Sequence, residues 1–306
     1  MATPFAHRYT VSAPVAAWRW WLGLVVILAA WFVLGSVVSL VLLPFSGVDA
    51  EALFIDGDVF GAFPSWGFLL FALVGFIPLL VATLLAYRFL LGQPTKRLFA
   101  AGVPFRMWRV WWGAFVWLLV MGTPSLIAVA MDPAAYTGSF SWQSFLPYAL
   151  IALALLPVQT TAEEVFFRGW LLQWFGQRLG GIWTLSILSG VMFSLPHLLN
   201  PEAVDALLPA FFGYGVIGFA LGWVTVRDRS LEIAIGAHAA NNLFAALVVG
   251  YEGGALPAEA FFVAESVDWS SGNLFTIVLV PLFIVLSRWG KAPKRAIELS
   301  VQPQLS

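Results

Sequence analysis

The chain has 306 residues, of which 61% are hydrophobic and 10% charged, with a net charge of −1. Soluble domains carry about 25% charged residues, so a soluble domain of useful size is excluded, and the near-neutral charge gives no nucleic-acid footprint. With no cysteine, disulfides, thiolate metal sites and a cysteine nucleophile are excluded together.

Residues 1–17 lack the short apolar core and small-residue cleavage site of a signal peptide, and read as a cytoplasmic N-terminal tail. A membrane span needs about 20 apolar residues. Eight stretches qualify: 18–43, 66–91, 108–131, 145–178, 182–199, 207–226, 231–249 and 273–289. The fourth is long and interrupted by polar residues, and the fifth is short and contains Pro196. Residues 290–306 form a C-terminal tail. The expected fold is all-α: a polytopic membrane bundle of about eight transmembrane helices, with residues 18–289 as one membrane-embedded domain.

Charge placement tests this count. If the N-terminus is cytoplasmic and eight spans alternate, the inner segments hold Arg8 and Arg19, Arg88 to Arg109, Arg178, Arg227 and Arg229, and Arg288 to Arg295. Arg168 is the one basic residue left over. The outer loops carry acids such as Asp49, Asp132, Glu202, Glu252 and Glu259, and no Lys or Arg. The positive-inside rule then puts both termini in the cytoplasm. Trp18, Trp20, Trp21, Trp108, Trp111 and Trp112 lie near span ends and fit an interfacial belt. The basic segment 92–107 reads as a topology signal and a contact for anionic lipid.

Few strongly polar groups remain inside spans. They are Glu163, Glu164 and Arg168 in the fourth, His197 in the fifth, and His238, Asn241 and Asn242 in the seventh. The third histidine, His7, is in the tail. Ionisable groups within a bilayer are functional candidates that face a bundle interior or a cavity. On a helix, Glu164 and Arg168 are i,i+4 and about 40° apart, so they can pair. Glu163 lies about 140° from Arg168 and is left as an unpaired carboxylate. Phe193 is i−4 to His197 and shares its face. Pro196 removes a helix donor and predicts a kink before His197. His238 and Asn242 share a face, with Asn241 to one side.

One carboxylate, two histidines and an amide from three helices suit hydrolysis. A carboxylate and a histidine can hold and deprotonate water, while a histidine and an amide can donate to an oxyanion. Glu163, His197 and His238 could instead hold Zn²⁺ with an open position for water. HExxH is absent. So is GxSxG, although Ser194 lies near His197. Two readings outside enzymology stay open at this point: a non-catalytic membrane scaffold or immunity-type protein, and a proton-coupled transporter. No internal or inverted repeat of the kind transporters use is visible.

In this order the clusters resemble the type II CAAX prenyl protease (CPBP, or Abi) family, whose pattern is EExxxR, FxxxH and HxxxN. The chain reads Glu163-Glu164-Val165-Phe166-Phe167-Arg168, Phe193-Ser194-Leu195-Pro196-His197 and His238-Ala239-Ala240-Asn241-Asn242. The resemblance covers about residues 140–250. It implies an intramembrane endopeptidase that cleaves a membrane-associated peptide or protein. Glu163 and His197 would activate water, and His238 and Asn242 would form the oxyanion site. Glu164, Arg168, Phe193 and Asn241 would support it, with Arg168 against substrate or a neighbouring helix. No cofactor is required in this mechanism. The composition looks bacterial, which implies the inner (cytoplasmic) membrane as the location. Counting residues along the spans predicts a cavity opening towards the cytoplasm or laterally to lipid.

Overall fold

The computed structural model describes residues 15–49, 51–56, 61–137, 140–257 and 259–289. Among them, eight helices of at least 16 residues follow the eight apolar stretches. They are α1 (Ala17–Phe45), α2 (Ser65–Phe89), α3 (Met107–Met131), α4 (Trp142–Gly176), α5 (Ile182–His197), α6 (Leu207–Asp228), α7 (Glu232–Leu247) and α8 (Trp269–Leu286). All but α5 and α7 are long and apolar enough to cross a membrane, and the protein is a multi-pass membrane protein with an all-α bundle. At 16 residues each, α5 and α7 fall short of the about 20 that a full crossing needs. The tail residues 1–14 and 290–306, with His7, lie outside the described residues.

The bundle distributes polarity inversely to a soluble protein. Val25, Phe89, Leu150 and Leu274 are exposed on its outside, where lipid tails rather than water are their natural surroundings. Glu164, Arg168, Ser186, Ser189, Ser194 and Thr225 are buried. Trp18, Trp21, Trp108 and Trp111 are exposed as an interfacial belt requires, but Trp20 is buried. Trp20 packs against Tyr87, Trp170 and Trp174, where its ring fills core volume between α1, α2 and α4.

With little hydrophobic force between helices in lipid, close packing of small residues takes over. On α5 and α6, a Cβ on Gly190 would stand 2.6 Å from Gly215 O. Between α3 and α7, a Cβ on Gly236 would meet the Val110 carbonyl oxygen at 1.8 Å. Only glycine lets these backbones touch.

The segments joining the helices gather at two ends. At one, Ala101 N–H donates to Arg229 O and Leu231 N–H to Phe99 O. There Asp228 and Glu232 pair with Arg109, Arg227 and Arg106. Arg106 and Arg109, expected as topology charges, are thus also internal ties. At the other end lies a small sheet that helix-only reasoning missed, order β1-β3-β2, from Tyr136–Thr137 (β1), Val249–Tyr251 (β2) and Phe262–Ala264 (β3). There Glu259 accepts from Ser65 and Ser144, fastening the strand-bearing loop to α2 and α4.

Candidate active site

Glu163 and Glu164 lie mid-way along α4, 21 and 22 residues after Trp142. The helix changes character immediately beyond them: Val165–Leu171 is π-helical, and each of its residues is buried. Such wide turns cluster at functional sites, and no sequence signal marked this one. Here it carries Arg168 inwards while keeping it within reach of Glu164.

The expected pair forms. Arg168 Nη1 donates to Glu164 Oε1 at 2.8 Å, and neither side chain is exposed. The remaining donors reach neighbouring helices: Nε to Ser189 Oγ at 3.1 Å and Nη2 to Gly218 O at 3.3 Å. The guanidinium carbon stands 4.4 Å from the Phe193 ring centre. Arg168 therefore faces neighbouring helices, the second of the two partners considered for it.

His238 joins the two carboxylates. Its Nδ1 donates to Glu164 Oε1 at 2.9 Å. Its Nε2 is 3.5 Å from Glu163 Oε2, too long for a good hydrogen bond. Among the described residues Glu163 Oε2 has no hydrogen-bond partner although it is buried. The carboxylate left over by helix angles has this long approach of His238 beside it in place of a hydrogen bond.

His197 ends α5. Its Nδ1 is 2.6 Å from Phe193 O. A carbonyl only accepts, so Nδ1 carries the proton and neutral His197 keeps its lone pair on Nε2. The Phe193 ring lies 4.3 Å from the imidazole, as the i−4 spacing required. Ser194 is turned away from this chemistry: its Oγ is 2.9 Å from both Gly190 O and Phe211 O.

The amides form a chain. Trp117 Nε1–H donates to Asn241 Oδ1 at 3.2 Å, Asn241 Nδ2 to Asn242 Oδ1 at 3.1 Å, and Asn242 Nδ2 to Gln159 Oε1 at 3.1 Å. Trp117 was missed because it reads as one more apolar aromatic of its span, and Gln159 because its neighbours Glu163, Glu164 and Arg168 stood out as the charges of the fourth span. Gln159 could have been found from its i−4 spacing to Glu163.

Glu163, His197, His238, Asn241, Asn242 and Gln159 all line one cavity of about 330 Å³. Its wall continues through Tyr214 to Asn200, Glu202, Tyr251 and the stretch Ala255–Pro257. These last residues lie at the end that charge placement assigns to the exterior, so the cavity wall reaches from the motif residues towards that end. Counting from residue 145 placed Glu163 near the inner end of its span. In fact α4 has 35 residues, about 52 Å at 1.5 Å each, and runs 13 residues beyond Glu163. At the far end of the cavity, burial and then the adjacent Glu202 carboxylate push the Tyr251 hydroxyl well above its ordinary pKa, so it stays a donor.

As a metal set, Glu163, His197 and His238 do not fit as placed: among the described residues no three His, Asp or Glu are grouped to hold an ion.

Comparison with known proteins agrees with the motifs. The chain is 28% identical over 283 residues to the uncharacterized protein YyaK of Bacillus subtilis (strain 168), covering 89% of this chain and 91% of that one. No solved structure matches it. Residues 142–244, from the start of α4 to the fourth turn of α7, match the family described as type II CAAX prenyl endopeptidase Rce1-like. Over those residues the chain is similar to the Rce1-like family, the one its three motifs resemble.

Proposed function

We propose that the protein is an intramembrane endopeptidase hydrolysing a peptide bond of a membrane-associated peptide or protein. The observation that carries this reading is the buried Glu163 Oε2, without a hydrogen-bond partner among the described residues, in a cavity that His197, His238 and Asn242 also line. A buried acceptor with nothing to accept costs about 1–3 kcal/mol, and a bound water offsets that cost.

Water donates one proton to Glu163 and the other towards the Nε2 lone pair of His197. As Glu163 takes the first, the hydroxide oxygen bonds to the scissile carbonyl carbon. The oxyanion accepts from Asn242 Nδ2–H and from His238 Nε2–H, His238 acting as the doubly protonated imidazolium whose Nδ1–H is held by Glu164. Glu163 then returns the proton to the leaving nitrogen, the C–N bond breaks, and a carboxylic acid and an amine result. Arg168 neutralises Glu164, so that Glu163 is the carboxylate free to accept a proton. No step passes through a metal.

The charge pattern supports both termini in the cytoplasm, and the composition and the Bacillus relative support a bacterial cytoplasmic membrane. Comparative proteomics of membrane peptides, in cells carrying wild type or Glu163→Gln, tests the activity and names the substrate. Positioned acid–base groups contribute about 10²–10⁴-fold, so products present in wild type fall below detection in the variant. Identical peptide profiles would favour a non-catalytic scaffold. Full cleavage by Glu163→Gln, His197→Ala and His238→Ala would overturn the site.

A further inference from the structure

Beyond the three motifs, the structure assigns a positioning role to Tyr214: its ring sets the plane of the His197 imidazole, and Glu202 holds that ring in place. The inference deepens the proposed site and concerns residues that no motif contains.

Two aromatic rings pack against His197. The Phe193 ring stands 4.3 Å away, tilted by 39°, and the Tyr214 ring 4.5 Å away, tilted by 35°. With Nδ1 tied to Phe193 O, the imidazole keeps one orientation only while both rings stay. Phe193 is on the same helix as His197, so its placement follows from helix geometry. Tyr214 comes from α6 and needs an anchor of its own.

Glu202 supplies that anchor. The Tyr214 hydroxyl donates to Glu202 Oε1 and accepts from Asn200 Nδ2 at 3.2 Å. Glu202 in turn is fixed by Asn200 Nδ2 at 3.2 Å, Ala255 N–H at 3.0 Å and the Tyr251 hydroxyl at 3.3 Å. Its backbone carbonyl accepts from Trp269 Nε1–H at 3.2 Å, and the Trp269 ring closes edge-on against Tyr214, 5.6 Å between centres. Donors from four segments thus converge on one residue whose carboxylate aims Tyr214 at His197. A lone pair that must meet a water tolerates about 0.5 Å and 10–20° of error, and the clamp keeps Nε2 within that tolerance.

The test reads His197 directly, since the chain has three histidines and His197→Gln assigns its signals. In detergent-solubilised, ¹⁵N-histidine-labelled full-length protein, wild type shows His197 as one Nδ1–H tautomer. Tyr214→Leu turns this into an averaged pair, while Tyr214→Phe, which keeps the ring and loses the anchor, shifts it part-way. If a membrane-peptide substrate is identified, Tyr214→Leu lowers kcat by about 10- to 100-fold with KM little changed, and Tyr214→Phe restores most of it. A folded Tyr214→Leu with the wild-type His197 tautomer would overturn the inference. An altered tautomer in a protein that cleaves nothing would uphold the clamp and count against the peptidase reading. Should Tyr214→Leu not fold, Glu202→Gln serves in its place: the part-way tautomer shift supports the clamp, and an unchanged His197 overturns it.

Discussion

Asn242 on α7 and Gln159 on α4 are joined amide to amide, Nδ2 to Oε1 at 3.1 Å. The bond aligns the proposed oxyanion donor with the helix that carries Glu163, one turn further along. Trp117 and Asn241 hold Asn242 from its other side. The four side chains therefore act as one ruler across α3, α7 and α4.

Gln159→Leu and Trp117→Phe each cut this ruler at one end. Each variant should unfold within about 1–3 kcal/mol of wild type, measured as thermal unfolding in detergent. Each should lose about tenfold or more in cleavage, since small misplacements near reacting atoms are costly. The double variant should lose less than the product of the two, because residues of one network couple. Strict additivity would show that the two ends act independently.

Adjacent glutamates should respond oppositely to neutralisation. Glu164 is ion-paired to Arg168 and bonded to His238. Removing one partner of a buried pair costs about 3–5 kcal/mol, so Arg168→Met and Glu164→Leu should melt well below wild type. Glu163 Oε2 has no hydrogen bond to lose among the described residues, so Glu163→Gln should melt at or above wild type while losing cleavage. Equal loss of stability at both positions would mean that Glu163 is a structural charge.

The contact of α3 with α7 sets where His238 and Asn242 stand. Gly236→Ala brings a Cβ against backbone, the Val110 oxygen, which cannot swing aside. The variant should lower both thermal stability and activity. Gly272→Ala at a site with open space around it should change neither and serves as control. A Gly236→Ala protein with wild-type melting would show that α3 and α7 can slide apart freely.

Relations within one helix were legible in the sequence, because the helical period alone dictates them. The Glu164–Arg168 pair and the stacking of Phe193 on His197 are both i,i+4. Apolar runs marked the eight helices, although the 16-residue α5 and α7 are shorter than the spans read there. Relations between helices were hidden. His238 meeting both Glu163 and Glu164 depends on how far α7 slides along α4, which glycines such as Gly236 decide. Gln159, Trp117 and Tyr214 are common neutral residues whose role exists only through their partners. The short sheet was invisible because two- and three-residue strands leave no alternation to read. The depth of the site was hard to read because a helix of 35 residues outruns the bilayer, so a position counted from one end says little about depth.

Helix α7 has one more consequence, for the order in which the molecule is made. It carries Glu232, His238, Asn241 and Asn242 in 16 residues, a poor candidate for entering lipid alone. Its polar side chains find partners in Arg106, Arg109, Trp117, Gln159, Glu163 and Glu164. All of these are synthesised earlier, on or next to α3 and α4. A nascent chain thus presents a prepared slot before α7 leaves the ribosome, and the last motif enters by docking rather than by partitioning. An unfinished chain would then lack the contacts of His238 with Glu163 and Glu164, so the candidate site is assembled only once α7 has docked.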